Sequence, residues 1–182
     1  QPDNEEWRRS VVQTLNAVGD ARRSTGDLDG MMEAYEESLS LARALVADHP
    51  VNAPYKRDLV IALQRLGDQI ILNGKVDEAR KLFDESLVIV RGLVASDPGN
   101  KGYQSDLAIA LEKVGDAVLA SGDIEGAIEV YEEQLAIARE LSASDPENMQ
   151  WLRGVAVALE RMGDARVKQD DKKAALAAFE ES

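Results

Sequence analysis

A strict 48-residue period constrains this chain more than any other feature. Gly19-Asp20, Gly67-Asp68, Gly115-Asp116 and Gly163-Asp164 recur at that step. In the same register lie Trp7, Tyr55, Tyr103 and Trp151, then Pro2, Pro50, Pro98 and Pro146, then Asn4, Asn52, Asn100 and Asn148. Arg43, Arg91 and Arg139 follow it too, as do Leu39, Leu87 and Leu135. Ungapped self-similarity of this length marks a repeat array, in which each copy buries its apolar face against its neighbours.

Each copy reads as two helices. In the second, Leu59, Leu63, Leu66 and Ile70 alternate at spacings of four and three, one face of a helix. Gly74, with Gly26 and Gly122 equivalent, supplies a left-handed C-terminal cap, and Asp170 takes that place in the fourth copy. A second helix is expected from about Val76, with Ala79, Leu82, Phe83, Leu87, Val90 and Leu93 as its buried stripe. It stops near Pro98, and Asn52 and Asn100 are expected N-caps of the helices that follow. Gly67 lies inside the first helix, where glycine costs about 1 kcal/mol relative to alanine. Close approach of the second helix is the expected compensation. Gly19, Gly67, Gly115 and Gly163 are therefore assigned to packing.

Composition narrows the function. Across 182 residues there is no cysteine, which removes disulfides, thiolate metal sites and thiol nucleophiles. The formal charge of −13 disfavours nucleic acid and anionic membranes as partners. No apolar run approaches the roughly 18 residues of a membrane span, and no leader segment is evident, so a cytoplasmic location is expected. His49 is the only histidine and is expected to be an ordinary loop residue. The acidic pairs Glu36-Glu37, Asp84-Glu85, Glu132-Glu133 and Glu180-Glu181 are neighbours on a helix and diverge, so they read as a solvated face rather than a two-carboxylate site. No catalytic residue, metal ligand or cofactor is expected.

Taken as a set, Tyr55, Leu66-Gly67, Gly74, Ala79, Phe83, Ser86 and Pro98 resemble the tetratricopeptide repeat, and Tyr103, Val114-Gly115, Gly122, Ala127, Tyr131, Gln134 and Pro146 repeat the pattern. The usual repeat is about 34 residues. The excess here divides evenly between the two helices, about two extra turns each. The resemblance implies an all-α, right-handed solenoid of stacked antiparallel helix pairs. One array is expected: 1–6 as the end of a preceding repeat, then repeats at 7–54, 55–102 and 103–150, and a fourth at 151–182 that stops within its second helix.

It also implies that the first helix of each pair, helix A, lines a concave binding face. The positions carried over are Asn16 and Asp20 in the first copy and Ile61, Gln64, Asp68 and Ile71 in the second. The third contributes Ile109, Glu112, Asp116 and Leu119, and the fourth Glu160 and Asp164. Two readings of the aspartate series stand. Each Asp is paired on its own helix by Arg65, Lys113 or Arg161 three residues earlier, with Ala17 leaving Asp20 without one. Alternatively, the series recognises a basic ligand. An apolar patch of Ile61, Ile71, Ile109 and Leu119 either binds a partner or is buried by the longer helices. Charge is concentrated in the third copy, which has 11 acidic and 2 basic residues between 103 and 150.

The function expected is protein–protein interaction, with a basic and apolar peptide or helix as ligand. The alternative is a structural spacer or self-association segment of a larger signalling protein. Two surfaces are expected to support a homodimer: the central apolar patch, and a last repeat in which Leu176 and Phe179 lack part of their cover.

Overall fold

The computed structural model describes residues 5–182, so Pro2, Asn4 and most of the segment 1–6 expected to end a preceding repeat lie outside the described residues. Eight helices and no strand occur among the described residues. They are α1 Glu5–Thr25, α2 Leu28–Asp48, α3 Ala53–Leu72, α4 Val76–Ser96, α5 Lys101–Ala120, α6 Ile124–Ser144, α7 Met149–Lys168 and α8 Lys172–Glu181. Helix A begins at Glu5, Ala53, Lys101 and Met149, and helix B at Leu28, Val76, Ile124 and Lys172. Both series keep the 48-residue step. Among the described residues, no helix is long and apolar enough to cross a membrane.

Local chemistry fixes the helix ends. Asn52 accepts a hydrogen bond from the Tyr55 amide at 3.1 Å, Asn100 from Tyr103 at 3.2 Å, and Asn148 from Gln150 and Trp151 at 3.1 and 3.3 Å. Each satisfies amides that the first turn of a helix leaves without intrahelical partners. Asp27, Asp123 and Asp171 cap α2, α6 and α8 in the same way. Gly26, Gly74 and Gly122 close helix A with φ of 80°, 77° and 92°, and Asp170 adopts 63° in the fourth copy. Aspartate tolerates this region better than most residues with a side chain.

By packing, the chain divides into two compact units, Gln1–Ile89 and Val90–Ser182. In the first, α1 packs on α2 and α2 on α3 around Val12, Tyr35, Leu39, Leu45 and Leu63. In the second, α5 packs on α6, α6 on α7 and α7 on α8, with Leu111, Val114, Tyr131, Leu135 and Leu159 buried. The partners are antiparallel: Gly19, near the end of α1, lies against Tyr35 in the early part of α2.

Helix A meets helix B where the glycine recurs. A Cβ added at Gly19, Gly67, Gly115 or Gly163 would lie within 3.0 Å of three ring atoms of Tyr35, Phe83, Tyr131 or Phe179, respectively. Tyr35, Phe83 and Tyr131 are fully buried. Each of those glycines thus makes room for one aromatic ring at the closest approach of its helix pair.

Candidate functional site

The aspartates that follow Gly19 and Gly115 are each held by a tyrosine of helix B and an arginine of the next helix A. In the first unit the Tyr35 hydroxyl donates to Asp20 Oδ1 at 2.6 Å, and Arg65 of α3 pairs with the same oxygen. In the second, the Tyr131 hydroxyl donates to Asp116 Oδ1 at 2.8 Å, and Arg161 of α7 approaches it at 3.3 Å. In both units the arginine therefore reaches back to the aspartate of the repeat before its own. Asp20, expected to lack a partner because Ala17 precedes it, is paired by Arg65. The cause is stacking: helix A of one repeat lies beside helix A of the repeat before it, α1 on α3 and α5 on α7.

Electrostatics follow from this arrangement. Burial and the adjacent Asp116 carboxylate push the Tyr131 phenol far above its ordinary range, so it acts as a donor. Burial, then the hydrogen bond to Asp20, raises Tyr35. Burial would depress Arg161, but Asp116 and Glu112 outweigh it and hold the guanidinium above its usual value. Glu112 lies 3.6 Å from Arg161, beyond hydrogen-bond length. Burial dominates there and raises the Glu112 carboxyl, with Asp116 adding to it and Lys113 and Arg161 opposing.

The remaining helix-A positions separate by exposure. Asn16 is corrected as a surface residue: it is 6% exposed and accepts a 2.9 Å hydrogen bond from Ser38. Gln64 is half-buried and its Nε2 has no partner. Ile61 and Ile109 are exposed, whereas Ile71, Leu119 and Asp68 are half-buried. Glu160 and Asp164 are exposed.

The second unit contains a pocket of about 220 Å³ between α5 and α7 and over α6. Ile109 and Glu112 line it, together with Gln134, Leu141, Trp151 and Gly154. The last four were not among the helix-A positions singled out from the sequence. Trp151 lies at the start of α7, and Lys101 places its ammonium 5.4 Å from the indole centroid.

On the opposite helices a second ladder runs, which the acidic-pair reading missed. Arg43 pairs with Glu85 at 2.6 Å, Arg91 with Glu133 at 2.7 Å, and Arg139 with Glu181. The second member of the last three acidic pairs thus bridges to helix B of the preceding repeat. His49 ends α2, and its Nε2 lies 2.9 Å from Glu5 while its ring meets Tyr55 edge-on.

This fold of long antiparallel helix pairs, each locked by a glycine on an aromatic ring, is tetratricopeptide-like. The family model for the tetratricopeptide repeat matches residues 12–45, which include most of α1 and α2. The apo form of RapI has a similar structure, with a TM-score of 0.71 and 13% identity over 96% of this chain. The chain spans 42% of the RapI chain. MamA is similar at a TM-score of 0.44 and 20% identity, covering 90% of this chain and 91% of its own. The TPR-like repeats of a putative kinesin light chain from Podosopora anserina give 0.37 and 15%, covering 95% and 93%. The RapI likeness, at a TM-score of 0.71, bears on the fold. No curated protein matches the sequence. Repeat folds of this kind are in general protein-interaction modules and are typically not enzymes.

Proposed function

We propose that this chain is a non-catalytic interaction module whose helix-A face takes a peptide or helix carrying basic and apolar residues. The observation that supports this reading most directly is in the second unit. There the exposed Ile109 and the pocket at Trp151 lie beside the carboxylates of Glu112 and Asp116. An apolar surface gives area to bury, and the carboxylates give preference for a positively charged ligand. Asp20 and Asp116 are already engaged by tyrosine and arginine, so they set the local field, and direct contacts fall to Ile61 in the first unit and to Ile109, Glu112, Glu160 and Asp164 in the second. Within the first unit Gln64, Asp68 and Ile71 share α3 with Ile61, and within the second Leu119 shares α5 with Ile109 and Glu112.

The test is fluorescence anisotropy with labelled amphipathic peptides that differ only in lysine and arginine against glutamate. The basic peptide should bind more tightly, with affinity falling as salt rises. Equal affinity for the two, or binding insensitive to salt, would overturn the reading. Light scattering on the same samples separates it from self-association, for which mass would rise with protein concentration in the absence of peptide.

A further inference from the structure

Two periods separate equivalent places in the two units, and at one such place they differ in an instructive way. In the first unit Arg9 Nε donates to Asp58 Oδ2 at 2.6 Å and Gln13 Nε2 donates to Asp58 Oδ1 at 3.2 Å. Asp58 is 6% exposed. Beneath them Ser38 donates to Asn16 Oδ1 and to the Val12 carbonyl. The space between helices A is thus filled by the chain's own arginine, and its polar groups are satisfied.

In the second unit every one of those residues is changed. Ser105 stands where Arg9 stands, Ile109 for Gln13, Glu112 for Asn16, Gln134 for Ser38 and Gly154 for Asp58. Loss of the arginine and the aspartate side chains leaves the 220 Å³ pocket, the volume of about seven waters, which accommodates one long side chain. Gln134 is 2% exposed, and its Oε1 has no hydrogen-bond partner. A buried acceptor left unpaired is costly, and it calls for a donor. Glu112, which lines the pocket from α5 together with the short Ser105, is an acceptor when ionised. Ile109, Leu141 and Trp151 provide apolar walls.

Resting on the interaction-module reading, we propose that this pocket receives one arginine side chain of the partner peptide. Its guanidinium donates to Glu112 and Gln134 Oε1, and its methylene stem packs against Trp151 and Ile109. Arginine fits better than lysine because its planar fork serves two acceptors at once. The ligand would replace from outside what Arg9 supplies from inside in the first unit. Arg161 on the far side of Glu112 and the exposed Arg153 in the lining are the opposing charges, so both acceptors are required.

The test uses a short acetylated and amidated peptide with one arginine among leucines and alanines, and its citrulline, lysine and glutamate analogues. Trp7 and Trp151 are the only tryptophans, so a Trp7→Phe background leaves Trp151 to report binding. The arginine peptide should bind at least about tenfold more tightly than the citrulline peptide, and Glu112→Gln should remove most of that difference. The paired change Ser105→Arg with Gly154→Asp rebuilds the first unit's arrangement. A Cβ at Gly154 meets only Ala138, at 3.9 Å, so the backbone tolerates it. That variant should keep its helicity and melting temperature and lose the preference for arginine. Overturning results are equal binding of arginine and citrulline peptides, or an arginine preference that persists in the folded paired variant. If basic peptides still bind with salt dependence in those cases, the module reading stands and the pocket assignment fails. If no basic peptide binds, both fail, and a preference for the glutamate peptide would assign the pocket to Arg153 instead.

Discussion

Replacing Gly67 by alanine sets two effects of opposite sign against each other. In a free helix the change is favourable by about 1 kcal/mol. Here the new methyl group would lie within 3.0 Å of three ring atoms of Phe83, a ring 1% exposed and enclosed on every side. The ring has no room to swing away, so α3 and α4 must separate locally. Overpacking of this kind costs about 1–3 kcal/mol, and more when backbone has to move. The clash should win, and Gly67→Ala should be destabilising despite the better helix former.

A double-mutant cycle with Phe83→Ala makes this decisive, because Phe83 makes no side-chain hydrogen bond to confound it. Phe83→Ala alone should cost about 3–5 kcal/mol. Once the ring is gone, adding Gly67→Ala should become stabilising by about 1 kcal/mol, a reversal of sign. Urea midpoints of the four proteins measure the cycle, with the same osmolyte in every sample if the alanine variant is marginal. If Gly67→Ala raises the midpoint in the wild-type background, the close approach does not explain the glycine, and the reasoning fails.

Other expectations follow from the caps, the ladders and Glu112. Asn52→Ala should lower stability by about 1 kcal/mol, seen in thermal melts, because the Tyr55 amide loses its acceptor. Tyr131→Phe keeps the ring, as Phe83 does naturally, and should cost about 1–2 kcal/mol in urea titrations for the lost bond to Asp116. A cycle on Arg91 and Glu133 should give a coupling of only about 0.2–1 kcal/mol, reduced by salt, since both side chains are about half exposed. Burial raises Glu112 above its unfolded value, so its contribution is fully present below that value and is lost as pH rises through the folded one. Glu112→Gln should therefore melt higher than wild type at neutral pH, with the gap closing as pH falls toward 4.5; a gap that widens in acid would contradict the assignment.

Much of the fold was legible because repetition turns weak local signals into strong ones. Asn52 alone is a modest N-cap candidate, but Asn52, Asn100 and Asn148 at one step, each accepting from the residues that follow, leave little choice. The left-handed closures at Gly26, Gly74 and Gly122 were readable for the same reason, as the backbone conformation admits few other residues. The candidate site was less legible. Glu112 and Ile109 were found by their place on helix A, but Gln134 comes from helix B and Trp151 from the next repeat. Gly154 matters through the side chain it lacks, and only comparison with Asp58 two periods earlier reveals that.

The ladders show where such reading goes astray. Arg65 and Asp68 are three apart on one helix, the spacing at which a local pair is expected. Across the repeat boundary, Arg65 reaches Asp20, and Arg161 reaches Asp116. A local pair on an exposed helix contributes only a few tenths of a kcal/mol. The aspartate of the preceding repeat offers more, because the Tyr35 or Tyr131 hydroxyl already fixes that carboxylate beside the neighbouring helix. At Asp20 and Asp116 the acceptor is thus preorganised for the arginine of the next repeat. Phe83 and Phe179 lack this hydroxyl, so the tyrosine–aspartate–arginine triad cannot be uniform along the array although the Gly-Asp pair is. The invariant pair thus serves two ends: its glycine admits the ring, and at Asp20 and Asp116 its aspartate joins one repeat to the next through a tyrosine and an arginine.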